Sequence, residues 1–119
     1  VIDHIAKPNI KAKPDQDWIH DLKAISLHKH VYCKLSGMVT EADWENWTPE
    51  NIFPFIEHTI TCFGENRVMY GSDWPVCLLA AKYNEVKNLL EQYLATQCKD
   101  SRDKIFSSNA KEFYRLFDH

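Results

Sequence analysis

The chain has 119 residues, a net charge of -3 from 14 Lys+Arg against 17 Asp+Glu, 45% hydrophobic residues and 13% aromatic residues. That is one ordinary domain's worth of chain with apolar residues enough for a core, which excludes disordered, collagen-like and low-complexity classes. There is no basic stripe interleaved with aromatics and no apolar run near the roughly 20 residues of a membrane span, so neither nucleic acid nor a membrane is an expected partner.

Short β-rich runs alternate with longer amphipathic stretches, the pattern of parallel βαβ units. Val1-Ile2-Asp3-His4-Ile5 reads as a strand ending near His4, because Pro8 in the following loop prevents continuation of a ladder. It lacks the cationic start and long apolar run of a signal peptide. Pro14 to Asp17 opens a helix running to about His28, with Trp18, Ile19, Leu22, Ile25 and Ser26 on one face. Val31 to Gly37 is a second strand stopped by glycine, and the loop from Thr40 to Trp47 is long enough to carry function. Thr48-Pro49-Glu50-Asn51 is a capped helix start, followed by Ile52, Phe53, Phe55, Ile56, Thr59 and Ile60 at helical spacing and closed at Gly64. Arg67 to Asp73 is a third strand cut off by Trp74-Pro75. A helix from about Ala80 to Ala95 carries Val86, Leu89, Leu90, Tyr93 and Leu94, and a terminal helix from Ser101 to Leu116 buries Ile105, Phe106, Ala110, Phe113, Tyr114 and Phe117.

Cysteines stand at 33, 62, 77 and 98 without a CxxC pair, so reduced thiols in a cytoplasmic protein are expected, with Cys33 and Cys77 acting as small buried hydrophobes. Three parallel strands alone would leave open edges and uncovered apolar faces. The expected architecture is therefore α/β, the C-terminal portion of a (β/α)8 barrel: about three βα units plus a terminal helix, residues 1–119 forming a partial barrel domain.

In such folds the site gathers at the carboxyl ends of the strands. The first strand ends in His4 with Lys7 beyond it, the second carries Lys34 and Ser36, and the third ends in Ser72-Asp73-Trp74-Pro75. A histidine, an aspartate and a lysine make a polar site suited to hydrolysis, although His4 and Asp73 serve equally well as caps or loop anchors on residue type alone. No Gly-rich loop follows any strand, so a nucleotide-binding domain is set aside.

Val1 to Pro8, Val31 to Gly37, Arg67 to Val76 and Ser108-Asn109-Ala110-Lys111-Glu112-Phe113-Tyr114 stand in the order that resembles the amidohydrolase-related family of the amidohydrolase superfamily. They look most like its branch of sugar-acid lactonases and the pyrone-dicarboxylate lactonase. The resemblance implies that His4 ends the sixth barrel strand and Asp73 the eighth. Asp73 would then activate water and pass its proton to the leaving group, while His4 helps polarise the carbonyl. Lys34 and Lys7 would contact substrate hydroxyl or carboxylate groups. Trp74, Trp44 and Trp47 would wall the pocket, unless they are plain packing. Family members use one divalent metal, such as zinc, or none; with a metal bound, His4 and Asp73 would be ligands.

The family's paired histidines at the end of the first strand would lie before Val1, in an N-terminal half of the barrel that is the expected partner. His28-Lys29-His30 precedes a strand, on the opposite face of the sheet from His4 and Asp73, and is expected to be solvated. His20, His58 and His119 show no evident partner. The expected activity is hydrolysis of a small-molecule substrate, a sugar-acid lactone or related carboxylate, by the parent protein, with the chain inactive alone. The alternatives are a metal-dependent decarboxylase of the same family, or an inactive truncated remnant that binds through its sheet edge.

Overall fold

The computed structural model describes residues 1–95 and 99–116. Two strands, β1 (Cys33–Leu35) and β2 (Val68–Tyr70), pair in parallel with Cys33 opposite Val68 and Leu35 opposite Tyr70. Parallel strands need a crossover, and α2 (Met38–Glu41) and α3 (Pro49–Phe63) supply it; α1 (Gln16–Ser26) precedes β1, and α4 (Tyr83–Leu94) follows β2. The arrangement is α/β, with Ile5, Leu22, Leu35, Phe55, Val68 and Leu90 buried in a single core between strands and helices.

The expected first strand is reduced to one bridge. Ile2 lies parallel to Cys33, its N–H donating to the Tyr32 carbonyl at 2.8 Å and its carbonyl accepting from Lys34 N–H at 2.9 Å. From there His4, Ile5, Ala6 and Lys7 run through the left-handed region at φ 54°, 46°, 62° and 48°. L-residues enter that region at about 1–2 kcal/mol each, and a β-branched residue such as Ile5 is especially unusual there. Tertiary contacts hold the turn: Ile5 is wholly buried, the Trp18 indole N–H donates to the Ile5 carbonyl at 2.8 Å, and Lys7 N–H closes onto the His4 carbonyl at 2.8 Å. The strand propensity of Val1 to Ile5 yields to these contacts.

α1 stops at Ser26, short of His28; Trp18, Leu22 and Ser26 are buried, whereas Ile25 is 38% exposed. The Arg67 guanidinium takes over past that end, donating to the carbonyls of Ser26, His28 and Val31 at 2.8, 2.9 and 3.1 Å. In α3 the Asn51 side chain accepts Thr48 N–H at 3.0 Å, completing the expected capped start. The segment Val76–Leu79 forms a 3-10 turn, so α4 begins at Tyr83 rather than near Ala80.

The C-terminal segment is helical in three parts: α5 (Lys99–Asp103), a π turn (Lys104–Ser108) and α6 (Asn109–Tyr114). It is fastened to the Glu65 to Val68 segment. Ser101 and Lys104 donate to the Glu65 carboxylate, Lys104 at 2.9 Å, and the Asn109 amide donates to the Glu65 and Val68 carbonyls at 2.6 and 2.7 Å. Phe106 packs on Tyr70 and Phe113 on Tyr32, each with ring centroids 4.9 Å apart. Ile105 is buried as expected, but Tyr114 is 46% exposed, and Phe117 lies outside the described residues. Cys33 and Cys77 are buried free thiols, Cys62 is half-buried, and Cys98 lies outside the described residues. Burial pushes the Cys33 thiol up to about 12. No described helix is long and apolar enough to cross a membrane.

Candidate active site

His4 and Asp73 come from segments 69 positions apart in sequence, each just past the end of an extended segment and each at positive φ, 54° and 57°. Non-glycine residues in this region cluster at functional sites, where packing holds a side chain in a direction the relaxed backbone would not give. Here the two side chains meet: His4 Nε2 lies 3.8 Å from Asp73 Oδ1, with the side chains 25% and 19% exposed. That gap is too long for a direct hydrogen bond, so the two outer atoms stand side by side and are each open to a third group.

The pair opens into a pocket of about 320 Å³ lined by Asp3, His4, Lys34, Ser36, Asp73 and Tyr114 among others. Ser36, at the end of β1 and 2% exposed, puts its Oγ 3.2 Å from His4 N and 2.9 Å from His4 Nδ1. Gly37 (φ 63°) and Gly71 make room for this contact. A Cβ on Gly37 would stand 2.7 Å from His4 Nδ1, and one on Gly71 would stand 3.0 Å from Ser36 Cβ. Lys34 Nζ lies 3.2 Å from Asp3 Oδ1 and 5.9 Å from the centre of the Tyr114 ring. The Lys34 hydrogen bond and charge hold the Asp3 carboxyl below its usual range. Hydrogen bonding to Tyr114, and then to Asp3, holds Lys34 above its own against the opposing effect of burial.

Of the residues singled out in the sequence, His4, Asp73 and Lys34 are brought together. Lys7 and Trp74 are not among the residues lining this pocket. Lys7 is an exposed residue at the end of the left-handed turn, and Trp74 is 62% exposed. Trp44 and Trp47 line a separate cleft with Ala80, Glu85 and Leu89, their indole N–H groups donating to the Thr40 and Ala80 carbonyls at 2.7 and 2.9 Å. His28, Lys29 and His30 are exposed. His20 and His58 do have neighbours: His20 lies 3.7 Å from Asp21, and His58 lies 3.4 Å from Cys62 Sγ with its ring 5.4 Å from Trp18. His119 lies outside the described residues. Sequence reasoning gave no role to Asp3 or Tyr114, and none to the Ser36 hydroxyl. The available signals were position alone: Asp3 directly before His4, and Ser36-Gly37 at the end of a β-rich run.

A catalytic zinc takes three protein ligands and leaves a position open. Among the described residues no three His, Cys, Asp or Glu side chains converge in that way, so His4 and Asp73 do not by themselves fit a metal centre.

A family model described as Amidohydrolase matches residues 1–116. The L-fucono-1,5-lactonase of Burkholderia multivorans is 39% identical over 127 residues, which take in 98% of this chain and 43% of the lactonase. A crystal structure of an amidohydrolase from the same species with bound HEPES superposes with a TM-score of 0.91 at 36% identity, covering 98% of this chain and 44% of that one. Another, with bound zinc, gives 0.89 at 36% identity, covering 97% and 43%. The chain thus spans less than half the length of the relatives it matches.

Proposed function

Because the chain belongs to the amidohydrolase family, we propose that residues 1–119 are the closing part of a (β/α)8 barrel, its sixth to eighth strands with the helices that follow, in a hydrolase of cyclic esters. The N-terminal half of such a barrel would be the partner that completes the site. Its substrate is a small molecule, a lactone of a sugar acid; the lactonase name of the Burkholderia multivorans relative supports this choice.

The observation that carries the reading is the approach of His4 Nε2 to Asp73 Oδ1, 3.8 Å apart at the mouth of one pocket. Asp73 accepts a proton from water, and the resulting hydroxide adds to the lactone carbonyl. His4 donates a hydrogen bond to the oxygen on which charge develops. Collapse of the tetrahedral intermediate breaks the bond to the ring oxygen, which takes the proton from Asp73 and leaves as the hydroxyl of an open-chain acid. Lys34, paired with Asp3 at 3.2 Å, offers N–H donors beside a carboxylate acceptor, a pairing suited to substrate hydroxyls. Lys7 and Trp74, which do not line this pocket, would contact substrate from the loops that follow His4 and Asp73. A zinc such as the one in the solved relative would need ligands from outside the described residues, and would there polarise a carbonyl or a water.

The test is a panel of sugar-acid lactones offered to the full-length protein and to its Asp73→Asn variant, with acid release followed at constant pH. Ring opening by the parent, reduced about 10²–10⁴-fold in the variant at unchanged circular dichroism, is expected. Full turnover in Asp73→Asn would sink the assignment of Asp73. Release of CO2 from an unsaturated acid in place of lactone opening would move the protein to the decarboxylases of the same family.

A further inference from the structure

Resting on that reading of the pocket, we propose that Ser36 is a positioning residue that fixes the tautomer of His4, keeping the proton on Nε2, where it faces Asp73 and the substrate. A serine hydroxyl has one proton to give and two lone pairs to receive. One lone pair of Ser36 Oγ is taken by His4 N–H at 3.2 Å. Ser36 is 2% exposed, so its own proton is best met by an acceptor inside the protein, and His4 Nδ1 stands 2.9 Å away.

If Nδ1 carried the proton instead, Ser36 would accept twice and its hydroxyl hydrogen would lose the acceptor 2.9 Å away, the costly half of the hydrogen-bond asymmetry. With Ser36 donating, its hydroxyl and His4 Nδ1 are both satisfied. Nδ1 is then the acceptor nitrogen, and neutral His4 must hold its proton on Nε2.

The surroundings are built for this contact. Gly37 has no Cβ at the place where one would stand 2.7 Å from Nδ1, and Gly71 has none where one would stand 3.0 Å from Ser36 Cβ. The left-handed turn holds the His4 backbone so that its N–H and its ring address the same oxygen. The consequence for chemistry is specific. Nε2–H can donate to a carbonyl oxygen, while the neighbouring Asp73 carboxylate, 3.8 Å away, is left to accept from water. Each side chain therefore enters with one role, and a proton need not be moved from His4 Nδ1 first.

The experiment is long-range nitrogen–proton NMR of the histidine rings in the full-length protein, with the His4 signals assigned by their loss in His4→Gln. An acceptor-type Nδ1 and a proton-bearing Nε2 are expected in the wild type. In Ser36→Ala the ring should show mixed or reversed tautomers, with kcat for lactone opening down about tenfold to hundredfold and KM changed much less. Ser36→Thr, which keeps the hydroxyl, should restore both. A protonated Nδ1 in the wild type, or an Nε2–H tautomer and kcat unchanged in a folded Ser36→Ala, would overturn the proposal. If no lactone is opened by the wild type, the functional reading fails, while the ring spectra still decide the role of Ser36 by themselves.

Discussion

Replacing Gly37 by alanine tests whether the position of His4 matters to the chemistry, because two effects of the change can be separated. The first is local: Gly37 sits at φ 63°, where an L-residue is disfavoured by about 1–2 kcal/mol. The second is steric: the new Cβ would stand 2.7 Å from His4 Nδ1 and 2.9 Å from Cγ, where ordinary contact begins at 3.4 Å, so the ring has to retreat by about 0.7 Å. Such a retreat is expected to disturb the 2.9 Å contact to Ser36. Misplacing a reacting group by about 1 Å costs on the order of 10²-fold in rate, so tenfold to hundredfold is expected here. Gly64 supplies the control: it too has positive φ, 75°, but nothing lies within 4 Å of its missing Cβ. In the full-length protein, urea unfolding should show that both Gly37→Ala and Gly64→Ala lose stability, while lactone turnover falls only in Gly37→Ala. Equal turnover in the two variants would refute the idea that the placement of His4 limits the reaction.

Asn109→Leu removes both amide donors to the Glu65 and Val68 carbonyls and should destabilise by about 2–3 kcal/mol, read as a lower urea midpoint at unchanged slope. Glu65 is held below its ordinary value of 4.5 by hydrogen bonds from Ser101 and then Lys104. A depressed carboxylate adds stability above that value and loses it as pH falls through the lower folded value. Glu65→Gln should therefore be less stable than wild type at pH 7, with the difference shrinking below about pH 4.5 in acid-unfolding curves. Among the described cysteines, iodoacetamide at pH 8 should modify half-buried Cys62 first, and leave Cys33 and Cys77 until the protein unfolds, as peptide mass mapping would show.

The helix from Gln16 is legible from its apolar spacing after Pro14, and the one from Pro49 from apolar spacing, a proline in the first turn and a closing glycine, all in agreement with the fold that forms. The two paired strands were legible for a like reason, since Val31 to Gly37 and Arg67 to Asp73 are β-rich runs ended by breakers. The segment around His4 has the composition of a strand but not its form, since nothing local in Asp3-His4-Ile5 signals a left-handed turn. The buried Ile5 and the Trp18 indole, 13 positions along the chain, impose it. The roles of Lys7 and Trp74 rest on the family resemblance; the two follow His4 and Asp73, which sit at positive φ, and neither lines the pocket. Asp3 and Ser36 were hidden for the opposite reason. Single polar residues carry no periodic signal, and their value lies in contacts made 31 or 32 positions away.

The π turn at Lys104–Ser108 bears on how the length of this chain can vary. An unbroken α-helix advances about 100° per residue, which would set Asn109 roughly 80° around from Ser101. A π turn absorbs about one residue, bringing the two to within roughly 20°, and both do address Glu65. A chain lacking one residue at exposed Ser107 would reach the same alignment by a plain helix. One with a residue added would swing Asn109 away from its two carbonyls. The segment is thus asymmetric toward indels, open to losing a residue and closed to gaining one.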